Sequence, residues 1–431
     1  MVSPAAPAAP ADPANSQTRG SLLVIFLTVF IDLLGFGMVL PLLPIYASDF
    51  GLKEHGWQIG ALMASFSLMQ FLFAPLWGRL SDRIGRRPVL IVGLLGSVVF
   101  YTLFGIASLQ KSLLLLFVAR IGAGIAGATI STAQAYIADT TTPQTRARGM
   151  ALIGAAFGLG FTFGPLLAWG ALLSSGDSVG HSPWPGFVAA ALSGVALLLA
   201  IFRLPESLRP GHSTVQLGLF NPKALGDALS TPTIVPLLIT SFISVVSFGG
   251  YETTIALLLA DEKDGFALKI TQVPLFFAYI GVVLSLVQGG IVRRISGRVS
   301  EKSMATIGAA LTMLGFLLLA WSSYEKRFWL VMIASGIEVS GFAFMTPSLQ
   351  SLISRRSDPA KQGGILGVSQ GVSALARIIG PLVAVPLFTN VSHTSPYFAS
   401  IGLMVLGLAA LLIGARGGRD YGAPAEVAPF E

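Results

Sequence analysis

The sequence predicts an all-α polytopic membrane protein that crosses the bilayer twelve times. Hydrophobic residues make up 53% of the 431 residues, and charged residues make up only 11%. A water-soluble globular domain carries about 25% charged residues. The mean hydropathy of +0.76 points the same way. Because so few charges cannot cover the surface of a soluble protein of this length, we expect lipid to face most of the outer surface.

Twelve segments have the length and apolar character of a spanning helix, which needs about 20 residues. We predict the spans at 21–46, 58–77, 88–108, 112–137, 147–173, 185–203, 233–260, 272–291, 303–322, 328–350, 363–388 and 396–415. Residues 1–20 and 416–431 are predicted to be tails, the first of them disordered. The longest connection, 204–232, separates two six-helix bundles at 21–203 and 233–415. Its segment 221–229 fits a helix at the membrane surface or a flexible linker equally well.

Basic residues alternate between the loops. With the N-terminus in the cytoplasm, nineteen of the 27 Lys and Arg residues fall on the inside, six fall outside, and Arg120 and Arg377 lie within spans. The positive-inside rule then predicts that both termini are cytoplasmic. We expect the bacterial inner membrane or an equivalent cell membrane, and we attribute the net charge of +7 to this topology and not to nucleic-acid binding.

An internal repeat supports two related halves. Pro143 precedes Pro165 by 22 residues, and Pro359 precedes Pro381 by the same interval. The two pairs are offset by 216 residues, half of the chain. This arrangement predicts two pseudo-symmetric six-helix bundles with a substrate site between them, as in transporters built from parallel repeats.

The connection after the second span reads GRLSDRIGRR, residues 78–87. It resembles the signature loop of the major facilitator superfamily, G-x-L-x-D-R-x-G-R-R/K, at every defining position. The resemblance implies a latch that holds the two halves together in the outward-facing state. The residues that would form this latch are Gly78, Asp82, Arg83, Gly85, Arg86 and Arg87. A role as a simple topology anchor at the anionic membrane surface is the alternative.

The fifth span carries Gly160, Gly164 and Pro165, which resemble the G-x-x-x-G-P part of the antiporter motif, although the final two glycines of that motif are absent. The stretch from Asp32 to Pro165 resembles the twelve-span tetracycline and multidrug efflux antiporters. This resemblance implies the major facilitator fold and export coupled to protons. Close packing at the glycines and a bend at the proline would explain the same motif without antiport.

Five charged side chains lie deep within the predicted spans. They are Asp32, Arg120, Glu252, Glu338 and Arg377. Because three carboxylates face two guanidiniums, one carboxylate has no permanent counter-charge, and burial favours its protonated form. Asp32 and Arg120 lie at similar depths, so we expect them to interact directly or through water. We predict that these five residues couple protons around a central cavity; a permanently protonated, structural acid is the alternative.

Polar and aromatic side chains within the spans are candidates for the wall of a substrate pocket. The candidates are Phe36, Gln134, Phe157, Phe161, Tyr251 and Gln370. A mostly apolar pocket with few polar groups suits a lipophilic or amphipathic small molecule. Aromatic side chains within spans more often serve helix packing or lipid contact, which is the alternative for each of them.

The sequence therefore predicts a secondary active transporter, a proton-coupled antiporter that exports a small molecule. A proton-coupled importer and an uncoupled facilitator of a small metabolite are the alternatives within transport. A non-transporting scaffold or receptor is a third alternative, but an idle bundle would gain stability by losing its buried charges. The sequence offers no P-loop and no nucleophile–base arrangement, so we do not expect an enzyme.

The expected partners follow from this function. They are the small-molecule substrate, protons and membrane lipids, without nucleic acid. The chain has no cysteine, and its four histidines lack ligand spacing, so we expect neither a metal nor a cofactor. We expect a monomer.

Overall fold

The computed structural model describes residues 13–52, 56–142, 145–174, 181–208, 222–358, 361–416 and 421. Within these ranges the chain is helical and contains no β-strand beyond one isolated bridge between Ser296 and Val299. The helices are α1 Pro13–Val39, α2 Leu43–Ala47, α3 Gly56–Ile84, α4 Arg86–Gln110, α5 Leu113–Gly127, α6 Ile130–Thr140, α7 Arg146–Leu173, α8 Trp184–Arg203, α9 Pro222–Ser230, α10 Ile234–Ala260, α11 Val273–Ser285, α12 Arg293–Ile295, α13 Glu301–Glu325, α14 Phe328–Arg356, α15 Gln362–Asn390 and α16 Ser395–Arg416.

Twelve of these segments are long and apolar enough to cross a membrane, which confirms the predicted fold class. The eighth span joins α11 to α12 through a π-helical stretch, Leu286–Val292. A kinked turn, Ser48–Leu52, follows α2, with Gly51 at a φ of 99°. Segment 222–230 of the long connection is a helix and packs against α15 and α10. The middle of that connection, residues 209–221, lies outside the described residues.

The fourth span differs from the single helix predicted at 112–137. It is broken between α5 and α6, where Ala128 and Thr129 form a turn. The Thr129 hydroxyl donates to the carbonyl oxygen of Ala126 at 3.2 Å. Threonine side chains that bond to nearby carbonyls compete with the regular helix ladder. The first span is also interrupted, since α1 ends at Val39 and the short α2 follows. At its other end α1 begins at Pro13, before the predicted end of the N-terminal tail.

Most of the loop arginines lie on one side of the membrane. We call this side the basic face, because Arg86, Arg203, Arg293 and Arg356 lie at the helix ends there. The other side is the opposite face. Along the chain the spans alternate between the two faces, so α1 and α7 run from the basic face to the opposite face, and α3 and α5 run back.

The largest apolar core joins the two sets of helices near the opposite face. It combines Met38 and Tyr46 of the first set with Ile255 and Phe276 of the second. Two further cores belong to one set each, one within α1–α8 and the other within the helices after Pro222. The two sets therefore share their core near the opposite face and have separate cores toward the basic face.

Two pairs of helices form the seam between the sets, α3 with α15 and α7 with α11. In the outer part of the seam the backbones are close, since a Cβ atom on Gly60 would lie 2.7 Å from the carbonyl oxygen of Pro381. Nearer the basic face the same helices carry Gly78, Gly154 and Gly367, where an added Cβ would meet no atom within 4 Å. The seam is thus tight on the opposite side and loose on the basic side.

Candidate functional site

Asp32 lies near the middle of the first span, on α1, and is half-buried. Its carboxylate oxygen Oδ1 accepts a hydrogen bond of 3.1 Å from the hydroxyl of Ser193 on α8. Among the described residues, no Lys or Arg nitrogen lies within 4.0 Å of this carboxylate. A hydroxyl can donate to a carboxylate and accept from a carboxylic acid, so this partner satisfies Asp32 in both protonation states.

Arg120 is 2% exposed on α5, and its guanidinium carbon lies 4.6 Å from the centroid of the Phe66 ring. Its Nε and Nη1 atoms have no hydrogen-bond partner. A cation stacked on an aromatic face gains electrostatic attraction that partly compensates for burial. The direct ion pair that we expected between Arg120 and Asp32 is not formed, because Arg120 turns toward α3 and Asp32 toward α8. Tyr101 lies within electrostatic range of both.

The second set of helices holds the other deep charges. Glu252 on α10 is half-buried and interacts electrostatically with Arg377 on α15, which is exposed. Glu338 is fully buried on α14, and both of its carboxylate oxygens lack a hydrogen-bond partner. It packs against Gly315 of α13, where an added Cβ would lie 2.6 Å from the Glu338 Cα atom. Glu338 therefore points into its own bundle, whereas Glu252 and Arg377 remain accessible.

The signature segment is helical almost to its end, and not a loop from 78 to 87 as predicted. Helix α3 continues to Ile84, Gly85 alone forms the turn, and α4 begins at Arg86. Gly85 has φ of 104°, in the left-handed region where a side chain is strained. The carboxylate of Glu206 accepts hydrogen bonds from the backbone N–H groups of Arg86 at 2.9 Å and Arg87 at 3.1 Å. It thereby satisfies the free donors at the start of α4.

Arg86 is 2% exposed and is the centre of an ionic network at the basic face. It donates to Asp82, to the Ser81 hydroxyl at 2.7 Å and to Asp139 at 3.1 Å. Arg87 donates to the carbonyl oxygen of Ile201. Arg83 is exposed. All of these partners belong to α3–α8 and the segment directly after α8, so the bonds described for this motif lie within the first set of helices.

The antiporter-type glycines hold α7 tightly against α1. A Cβ atom on Gly164 would lie 2.8 Å from the Cα of Gly37, and one on Gly160 would lie 3.0 Å from the Cβ of Leu33. The second half repeats this arrangement, since a Cβ on Gly380 of α15 would lie 3.0 Å from the backbone nitrogen of Gly250 on α10. The two motif helices, α7 and α15, are also two of the four helices that form the seam. Pro165 is buried within α7.

The candidate pocket residues do not form one group. Phe36 and Phe161 meet with ring centroids 5.9 Å apart, and Phe66 joins them at 4.9 Å from Phe36. These three rings lie beside the seam, where Phe161 packs against Gly281 of α11.

The remaining candidates lie apart from this aromatic cluster. Gln134 and Gln370 are exposed, and Phe157 is part-buried beside the core of the first set. Tyr251 is 2% exposed within the second set, where its ring lies 6.2 Å from that of Phe316. Ser193, Phe66 and Glu206 are the partners that the sequence reasoning missed. A survey of polar residues inside apolar spans would have found the serine.

Comparison with known proteins agrees with this architecture. The profile of the Major Facilitator Superfamily matches residues 25–381 and, in a second match, 293–427. The tetracycline resistance protein, class C, of Escherichia coli is 35% identical over 383 residues, which cover 88% of this chain and 92% of that protein.

Solved structures give the same result. The crystal structure of the human organic anion transporter MFSD10 superposes with a TM-score of 0.68 at 27% identity, covering 91% of this chain and 99% of that one. The nucleoside transporter NupG superposes with a TM-score of 0.73 at 17% identity, covering 92% of this chain and 99% of that one, a likeness of fold alone. Together with the signature segment and the twelve spans, the matches establish that the chain belongs to the major facilitator superfamily.

Proposed function

We propose that this chain is a secondary active transporter that exports a lipophilic or amphipathic small molecule in exchange for protons. The observation that carries the proposal is the setting of Asp32. It lies near the middle of a span, bonded to the Ser193 hydroxyl and without an arginine partner. An arginine would hold the carboxylate ionised, whereas a hydroxyl accommodates either protonation state. Such a group can bind and release a proton during each transport cycle.

Glu252 is the second candidate proton carrier. It is accessible, and Arg377 acts on it through space without an ion pair within 4.0 Å among the described residues. Arg120 and Arg377 each supply positive potential to one half of the protein. Glu338 has a supporting role in this scheme, because it is enclosed within its own bundle and away from the seam.

The transported compound is proposed from the aromatic cluster Phe36, Phe66 and Phe161 beside the seam. Aromatic faces suit an apolar, ring-containing molecule. The names of two relatives, a tetracycline resistance protein and an organic anion transporter, indicate the first compounds to test. Tetracycline is the natural first probe because the relative with that name covers most of this chain.

The proposed direction of transport follows from the orientation that the basic residues predict. In this orientation the protein lies in a bacterial inner membrane or its equivalent, with the basic face and both termini on the cytoplasmic side. The loose seam at the basic face then corresponds to a cytoplasm-open state. The experiment is uptake of tetracycline into inside-out membrane vesicles. Uptake that needs an acid interior and collapses when an ionophore removes the pH gradient supports proton antiport. Uptake that ignores the gradient identifies an uncoupled facilitator, and uptake only under the reversed gradient identifies an importer.

A further inference from the structure

Asp32 borders a small cavity inside the first bundle. The cavity is half-open, has a volume of about 20 Å³, and is lined by α1, α4 and the start of α6, without any residue of the second bundle. Three of its lining side chains are polar: Thr28, Asp32 and Thr129. A buried water molecule needs roughly 10–15 Å³ and two to four polar partners. The cavity therefore has the size and the polar lining for one water molecule next to the carboxylate.

Two buried threonines have hydroxyls without a partner: Thr28, which lines this cavity, and Thr132, which directly precedes the lining residue Ala133 on α6. Thr28 is 1% exposed and Thr132 is fully buried, and the Oγ1 atom of each lacks a hydrogen bond. Other helical threonines bond to a carbonyl one turn back, for example Thr140 to the carbonyl oxygen of Tyr136 at 2.9 Å. Leaving a buried hydroxyl unsatisfied costs about 1–3 kcal/mol. These two hydroxyls are therefore available to a water molecule or to a proton in transit.

The polar residues continue from the cavity to the basic face. On α6, Tyr136 follows Thr132 by one helical turn and is fully buried. Asp139 lies about one turn further along, where it accepts bonds from Arg86 at 3.1 Å and from the Ser207 hydroxyl at 3.2 Å. A helix rises about 1.5 Å per residue, so Thr132 and Asp139 are roughly 10 Å apart along the axis. Thr132, Tyr136 and Asp139 thus form one file of polar residues on α6, which runs from the level of the cavity to the ionic network around the signature segment.

We propose that the proton of Asp32 reaches the basic face along this file, inside the first bundle, and not through the space between the bundles. The cavity water takes the proton from the Asp32 carboxylic acid, which becomes a carboxylate. Each hydroxyl of Thr28, Thr132 and Tyr136 then accepts one proton and releases another, until Asp139 or bulk water receives it. This route rests on the proposed function, and it keeps the proton path separate from the seam through which the substrate passes.

Time-resolved infrared spectroscopy of the purified, full-length protein tests the route without any substrate. A rapid pH increase deprotonates Asp32, and the carboxylic-acid band that Asp32→Asn removes reports its rate. Thr28→Val and Thr132→Val remove one hydroxyl each at nearly constant shape. We expect each to slow the decay of the band by about tenfold or more, equivalent to ~1.4 kcal/mol, with the final amplitude unchanged. Thr28→Ser keeps the hydroxyl and should retain the parental rate.

Thr312→Val is the matched control, because Thr312 is also buried with an unpartnered hydroxyl but lies in the second bundle. It should leave the rate unchanged. If a valine variant does not fold, the smaller Thr28→Ala or Thr132→Ala provides the same readout. A parental rate in the hydroxyl-free variants would overturn the route and leave proton coupling at Asp32 standing. If the parent shows no band that Asp32→Asn removes, Asp32 does not carry the exchangeable proton; the route is then wrong, and proton coupling would have to run through Glu252.

Discussion

The contact between α1 and α7 leaves no room for a side chain at Gly164. A Cβ atom there would lie 2.8 Å from both the Cα and the carbonyl carbon of Gly37, and 2.9 Å from the carbonyl oxygen of Leu34. Uncrowded contacts of a Cβ atom begin near 3.4 Å, so the methyl group of Gly164→Ala is about 0.6 Å too close to its neighbours. All three obstructing atoms belong to the backbone, which cannot rotate away as a side chain can.

The expected cost follows from two opposing effects. Overpacking a close contact costs about 1–3 kcal/mol, whereas replacing glycine by alanine in a helix gains about 1 kcal/mol. Gly154→Ala on the same helix isolates the second effect, because an added Cβ there would meet nothing within 4 Å. The free energies of unfolding of the two variants should therefore differ by about 1–3 kcal/mol, with Gly164→Ala the less stable.

Thermal unfolding of the purified protein in detergent measures this difference, and tetracycline uptake of the same preparations shows whether the contact matters for transport. We expect Gly154→Ala to unfold at or above the parental temperature and Gly164→Ala to unfold below it. If the two variants have the same stability within about 0.5 kcal/mol, the error expected for independent sites, then α1 and α7 are not as close as the structure places them.

Three further changes test other parts of the structure. Gly85→Ala places a side chain at a φ of 104° beside the Glu206 carboxylate, so it should lower the free energy of unfolding by about 1–3 kcal/mol. Thermal unfolding measures this loss, and an unchanged stability would disprove the left-handed turn. Asp82→Asn should lower the transport rate while expression is retained, and parental transport would reduce the signature segment to a topology anchor. In this cysteine-free chain, Lys326→Cys should react with an impermeant maleimide in intact cells and Thr142→Cys only after lysis, and the reverse pattern would invert the proposed orientation.

The sequence was sufficient to predict the fold class, because twelve apolar segments and few charges leave no soluble alternative. It also revealed the corresponding positions of Pro165 and Pro381 in the fifth and eleventh spans through the internal repeat. It did not predict the break at Ala128 and Thr129, since the segment Leu113–Thr140 as a whole is apolar enough for a spanning helix. Hydropathy measures the transfer of side chains to lipid and carries little information about a local change in backbone hydrogen bonding.

The sequence could predict which residues belong to the candidate site, but it could not predict which side chains contact one another. The order of the spans assigned Asp32 and Arg120 to the same bundle, but the depth of a residue along its span does not specify the direction in which its side chain points around the helix. The structure turns Asp32 toward Ser193 and Arg120 toward Phe66. The role of Glu206 was missed because this residue lies just after α8, 120 residues from Arg86 in the sequence. Only the fold brings its carboxylate to the start of α4.

The most direct test of the central claim is tetracycline accumulation in proteoliposomes with an acid interior. The parental protein should concentrate tetracycline only while the pH gradient lasts. Asp32→Asn and Glu252→Gln cannot release a proton, so gradient-driven accumulation should be lost in at least one of them while tetracycline binding to the purified protein remains. Glu325→Gln, an exposed carboxylate at the end of α13, should behave like the parent. If both Asp32→Asn and Glu252→Gln concentrate tetracycline as the parent does, protons are not coupled through these carboxylates and the account is wrong.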